Sequence, residues 1–276
     1  MRPSLIVMLS LAVLAGACAR AQPPPPVVPE PVAAATPEPA AEPAVTSSSH
    51  PAIVERVELR SGGWVLIGDF VAPAADHATP AALLLHRAAG SRGEYEQLAR
   101  ALAERGVASL RLDLRACGES TNLGQFVEPY AEHRHLLEGT PDDVRAALDW
   151  LKGNAVVDGE RVAVVGASYS GEMVGEALRA GGPAAAAYVM VSPGSFSDES
   201  IALIDRSGAP WLFVRTTEES PVSRPFIDEV FDALARGSKL AEVRVLEGEG
   251  HATRIFDLHP TLIDELAGWI AGRLAS

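Results

Sequence analysis

The chain is poor in cysteine and in lysine. Of its 276 residues only Cys18 and Cys117 are thiols, and only Lys152 and Lys239 carry an ammonium group. A bridge between the two cysteines would tie the extreme N-terminus to a distant domain, so no disulfide is expected. With a formal net charge of -13 and no basic stripe, the chain lacks the electrostatic footprint of a nucleic-acid binder. Neither lysine lies three residues after a serine, which argues against Ser/Lys catalysis. The apolar run at residues 5–14 is too short for a stable membrane span, and no internal repeat is present.

Large side chains are almost missing from residues 22–51. Arg2 precedes the apolar run, and Ala15-Gly16-Ala17 stands directly before Cys18, the arrangement of a secretory signal. Leu14-Ala-Gly-Ala-Cys18 resembles a bacterial lipobox. That reading makes residues 1–17 a leader and Cys18 a lipidated N-terminus, carrying the protein on a membrane facing the periplasm or at the cell surface. The alternative is cleavage at Ala17 or Ala19 and release of a soluble periplasmic or secreted protein. Residues 18–52 hold ten prolines, from Pro23 to Pro51, among Ala, Val, Glu and Ser. Its stretch from Gln22 to Pro51 cannot form a core and favours extended polyproline II, roughly 30 residues at ~3.1 Å each giving a tether of up to about 90 Å.

Residues 53–276 suffice for one sizeable core. Segments 53–59 and 64–71 read as strands joined at Ser61-Gly62-Gly63, a hairpin signal. Further strands are expected at 81–86, 107–112, 161–166, 184–191, 210–215 and 242–246. Helices are expected at 94–105, 141–151, 171–179, 224–236 and 261–274. Near-continuous apolar strands alternating with amphipathic helices imply a mostly parallel, eight-stranded α/β sheet with helices on both faces.

The most informative motif is Gly166-Ala-Ser168-Tyr-Ser170-Gly171, where an apolar strand breaks into a helix. It reads as a nucleophile elbow with Ser168 at the apex, the turn exposing the hydroxyl and the following N–H groups facing a developing oxyanion. In a strict G-x-S-x-G the last glycine would stand at Ser170; here it comes one residue late.

Three more motifs fall in a fitting order: Leu83-Leu-Leu-His-Arg-Ala-Ala-Gly-Ser91, Asp113-Leu-Arg-Ala-Cys-Gly-Glu-Ser120 and Gly248-Glu-Gly-His251. Together with the strand order and the elbow on the fifth strand, they make residues 53–276 resemble the α/β-hydrolase superfamily. Among its branches, the lidless dienelactone-hydrolase-like and serine-peptidase-like ones are the most similar.

That resemblance implies a serine hydrolase acting on esters, with lactones or peptides as further possibilities, through an acyl-enzyme intermediate. Ser168 would attack, His251 would act as base, and Glu219, after the seventh strand, would orient it. Glu218 and Asp198 are the alternatives for the acid. Backbone N–H groups of Ala88 and Tyr169 would form the oxyanion hole. His86 would buttress that hole, and Arg87, where glycine is usual, would point to solvent or pair structurally. No cofactor and no metal is required; His133 and His135, flanking Arg134, lack a third ligand by spacing. The partners implied are a small ester-like substrate and, through Cys18, a membrane.

Only residues 192–209 separate the sixth and seventh strands, too few for a cap domain. Cover would come from residues 121–140, whose Phe126, Tyr130 and Leu136 either line an acyl pocket or form the core of a packed loop. The rival reading is a non-catalytic binding or structural lipoprotein that keeps the fold with a vestigial site.

Overall fold

The computed structural model describes residues 53–127 and 130–275; the expected leader and tether, Cys18 included, lie outside these residues. Eight strands form one sheet in the order β1-β2-β4-β3-β5-β6-β7-β8. They are β1 (Ile53–Ser61), β2 (Trp64–Ala72), β3 (Thr79–Leu85), β4 (Ala108–Leu112), β5 (Val157–Ala167), β6 (Ala187–Val191), β7 (Trp211–Glu218) and β8 (Ala241–Glu249). β1 and β2 form an antiparallel hairpin in which Ser61 faces Trp64. Its turn residues Gly62 and Gly63 both have positive φ, +52° and +86°, which suits a tight hairpin turn of matching twist. β2 meets β4 antiparallel, and every pairing from β4 through β3 to β8 is parallel.

Parallel strands buried on both faces need two apolar layers, and alternation along the strands supplies them. Leu83, Leu85, Val162 and Val164 face a core shared with α3 (Thr140–Gly153), α4 (Tyr169–Arg179), α5 (Asp198–Ser207) and α6 (Arg224–Gly237). Leu84, Ala163 and Val165 face the other layer, closed by α1 (Glu96–Ala103) and α8 (Thr261–Leu274). Two short helices complete the set, α2 (Tyr130–His133) and α7 (Ile255–Leu258). No helix among the described residues is long and apolar enough to cross a membrane.

Helix α5 lies in the stretch that the sequence presents as a plain connection. Its boundaries are chemically marked: the Ser197 hydroxyl accepts from Ser200 N–H, and Gly208 ends it at φ +68°. Together with the turns around it, α5 fills the interval between β6 and β7, and no cap domain is present among the described residues. Strand β6 begins at Ala187, three residues later than its apolar run.

Register brings the strand ends to one edge. Leu85 lies opposite Gly166, Ala167 opposite Val191 and Val191 opposite Val214. The segments that follow these strands carry His86, Ser168, Ser192 and Glu219, and the segment after β8 carries His251.

Candidate active site

Ser168 has φ +51° and ψ -117°, a backbone conformation costing a non-glycine residue about 1–3 kcal/mol. Close packing holds it there. A Cβ on Gly166 would fall 2.9 Å from the Gly171 Cα, and one on Gly171 would meet the Pro193 Cβ at 3.1 Å. Gly171, one position later than the usual pattern, therefore lets the helix approach the strand. Ser170 plays a different part. Fully buried, its hydroxyl donates to Leu85 C=O at 2.8 Å and accepts from Ala167 N–H at 2.8 Å. It pins the elbow to the end of β3, and the serine that breaks the motif is a fastening.

The Ser168 hydroxyl lies 3.0 Å from His251 Nε2, and His251 Nδ1 lies 2.9 Å from Glu219 Oε2. An ionised carboxylate only accepts, so Nδ1 carries the proton and Nε2 is free to accept from Ser168. Glu219 is fully buried at its side chain, while the His251 ring keeps 19% exposure. The second carboxylate oxygen, Oε1, accepts from the Ser192 hydroxyl at 2.6 Å and from Thr216 N–H at 3.3 Å. The loop carrying His251 is fastened by Thr216, whose hydroxyl donates to Gly250 C=O at 2.8 Å. Glu218 is exposed at the end of β7, and Asp198 is exposed in the first turn of α5. Of the three candidate acids only Glu219 reaches His251. Sequence reading does not mark Ser192 or Thr216, and it marks Ser170 only as a departure from the glycine pattern, since no spacing rule identifies a hydroxyl whose partners lie on other strands.

Tyr169 opens α4, so its N–H belongs to the unpaired first turn beside Ser168. Its phenol donates to Leu137 C=O at 2.8 Å, and burial raises its pKa well above the ordinary tyrosine value. Ala88 sits half-buried in the loop after β3. His86, fully buried, donates from Nδ1 to Arg87 C=O at 2.6 Å and accepts Leu114 N–H on Nε2 at 3.0 Å. Burial lowers its pKa below the usual imidazole value, and the neutral ring braces the peptide that carries Ala88 N–H. Arg87 pairs with Glu94 at 2.9 Å and reaches Ala88 C=O at 3.2 Å.

The Asp113–Ser120 motif is structural. Buried Asp113 accepts Arg92 N–H at 2.6 Å and Glu119 N–H at 2.9 Å. Gly118 sits against this carboxyl at φ +52°, where a Cβ would fall 2.2 Å away. Burial pushes the neighbouring Cys117 thiol up to about 11.

Of the covering residues, Phe126 is buried loop core, with its ring 5.9 Å from that of Tyr130. Leu136 is partly buried against the main core. Tyr130 is 44% exposed and stands 6.3 Å from the Tyr169 ring, on the wall of a cavity of about 410 Å³. His133 is tied to Val127 C=O at 2.9 Å.

An eight-stranded sheet in this order, with a strained serine turn after β5, defines the α/β-hydrolase class. More narrowly, a sequence profile of the X-Pro dipeptidyl-peptidase (S15) family matches residues 33–234, well over half of the chain, and the protein belongs to that family. The matched stretch includes Ser168 and Glu219 and ends before His251.

An uncharacterized protein of Mycobacterium tuberculosis is 32% identical over 160 residues, which are 57% of this chain and 48% of its own. The chain thus spans about half the length of the curated relatives it matches. Among solved structures, the dienelactone hydrolase of Anabaena variabilis superposes with TM-score 0.59 at 22% identity, over 82% of this chain and 98% of that one. A thermophilic carboxylesterase cloned from a metagenomic library gives TM-score 0.60 at 17% identity, over 83% and 92%. At such identities the likeness is one of fold.

Proposed function

We propose that the protein is a serine hydrolase that cleaves carboxylic esters through an acyl-enzyme intermediate. The observation that carries this reading is the unbroken chain from the Ser168 hydroxyl through His251 to buried Glu219, with links of 3.0 and 2.9 Å. In the first half-reaction His251 Nε2 takes the Ser168 proton as Oγ bonds to the substrate carbonyl carbon. The N–H groups of Ala88 and Tyr169 hold the resulting oxyanion, and Glu219 steadies the imidazolium. The bond to the leaving alkoxide then breaks while His251 returns the proton to it. Water repeats the sequence on the acyl-enzyme, releasing a carboxylic acid and restoring Ser168. Esters come first because an alkoxide departs more readily than an amine, which asks less of a site that no cap covers.

A second reading is peptide cleavage, the activity in the family's name. Half-buried Glu172 favours it. It lines the cavity of about 410 Å³ beside Tyr169 and Arg134, and it makes no ion pair among the described residues, so it could meet a substrate ammonium group.

A fluorophosphonate probe is expected to label the folded protein on Ser168, located by peptide mapping; absence of any adduct would exclude the serine mechanism. Parallel rates on short p-nitrophenyl esters and on an aminoacyl-prolyl p-nitroanilide decide the substrate class.

The export reading belongs to the same proposal: residues 1–17 as leader, Cys18 as lipidated N-terminus, residues 18–52 as tether, and the domain following from residue 53 in the periplasm or at the cell surface. Two ester-linked chains and one amide-linked chain would give stable attachment, where a single chain gives marginal binding. Cys18→Ser is expected to shift the protein from the membrane to the soluble fraction, and unchanged partitioning rules the anchor out.

A further inference from the structure

We infer that Glu94 is a positioning residue that holds the oxyanion loop and the base-bearing loop in one frame, an inference resting on the serine-hydrolase reading. Glu94 lies in the 3-10 turn Arg92–Tyr95, further along the same connection from β3 to α1 that carries Arg87 and Ala88. Its Oε1 pairs with the Arg87 guanidinium at 2.9 Å, and its Oε2 accepts the Thr253 hydroxyl at 2.7 Å. Arg87 directly precedes Ala88, and Thr253 follows His251 by two residues. One carboxylate thus joins two segments 159 positions apart at its Thr253 bond alone.

The junction is built for this contact. A Cβ on Gly90 would fall 2.7 and 2.9 Å from the two Glu94 oxygens and 2.9 Å from the Arg87 carbonyl oxygen, so a side chain there would displace the carboxylate or the loop backbone. Thr253 is 5% exposed, and the Arg87 and Glu94 side chains keep 21% and 20%, well short of a freely solvated pair. Arg87 also grips Ala88 C=O through its guanidinium at 3.2 Å. The Arg87 carbonyl is meanwhile held by His86 and by Gly90 N–H at 3.1 Å. With both carbonyls flanking the Ala88 backbone restrained, the direction of Ala88 N–H is set, and Glu94 anchors the outer end of that restraint. At the other loop, Ala252 sits at φ +53° between His251 and Thr253, a strained link that the Thr253 bond helps to keep.

A misplacement of about 1 Å between donor and base can lower turnover about 100-fold while leaving substrate binding nearly intact. Glu94→Ala is therefore expected to lower kcat about 10–100-fold on the ester the wild type prefers, with KM within about twofold. Affinity for a trifluoromethyl ketone, which needs the oxyanion hole, should fall by a similar factor. A cavity of about 480 Å³ lined by Arg87, Glu94 and Thr253 adjoins the vacated position, so added acetate should restore part of the lost kcat. Thr253→Val should lower kcat and Thr253→Ser should retain it, and the Glu94→Ala/Thr253→Val double variant should be little worse than Glu94→Ala.

An active wild type with unimpaired Glu94→Ala, a change confined to KM, or a kcat loss that acetate leaves untouched overturns the positioning role alone. A wild type that neither hydrolyses any ester nor takes the fluorophosphonate probe overturns the hydrolase reading, and this inference with it.

Discussion

Ser168→Ala is expected to lower kcat/KM on any ester substrate by about 10⁴–10⁶-fold with little change in thermal stability. The hydroxyl is the one group at the elbow aimed at His251, 3.0 Å away, and nothing nearby replaces it: Ser170 is committed to Leu85 and Ala167. Stability should hold because alanine keeps the Cβ and inherits the same strained φ of +51°. His251→Ala should cost a similar factor, and the double variant should be no slower than either single one, since residues acting as a unit are not additive. Initial-rate measurements on the three proteins check this. Ser168→Ala retaining more than about a tenth of the wild-type rate would remove it as nucleophile.

The second large effect is expected at Glu219. Its carboxylate takes three donors in a fully buried setting: His251 at 2.9 Å, Ser192 at 2.6 Å and Thr216 N–H at 3.3 Å. Glutamine has nearly the same shape, yet its NH2 must face either the His251 proton or the Ser192 and Thr216 donors. If it faces His251, the imidazole shifts its proton to Nε2 and can no longer accept from Ser168. A wrong tautomer of this kind costs about 10⁴ in kcat in triad enzymes, and Glu219→Gln is expected to lose about 10³–10⁴. If the amide turns away, Ser192 and Thr216 meet a donor, with an unpaired buried group costing about 1–3 kcal/mol of stability. Glu218→Gln and Asp198→Asn, both at exposed positions, should stay within about twofold of wild type. Equal losses at Glu218 and Glu219 would sink the assignment.

Much of the architecture is legible in local chemistry. Strands buried on both faces announce themselves as runs such as Ala81–Leu85 and Val162–Val165, because each position must be apolar whichever face it meets. The elbow is legible for a similar reason: a strand-to-helix turn this tight demands small residues around one serine. Helix α5 is harder to see, being a short amphipathic stretch of ten residues rich in Asp, Glu and Ser, although Ser197 and Gly208 mark its ends. Ser170 shows the limit of motif reading. The pattern counts it as a missing glycine, whereas its environment makes it a hydrogen-bonded clasp.

By itself, then, the sequence determined the order of the strands and of the longer helices, the residues proposed for acyl-transfer chemistry, and the strand ends on which they fall, because these depend on periodicity and on residue type. Tertiary structure alone decided which carboxylate meets His251. Glu218 and Glu219 are chemically equal neighbours, but β7 ends at Glu218, which stays exposed beside Thr217, and the turn that follows buries Glu219 in the site. It alone also decided that Arg87 and Thr253 share Glu94, since a contact between segments so far apart in sequence is settled by how the loops pack at one sheet edge.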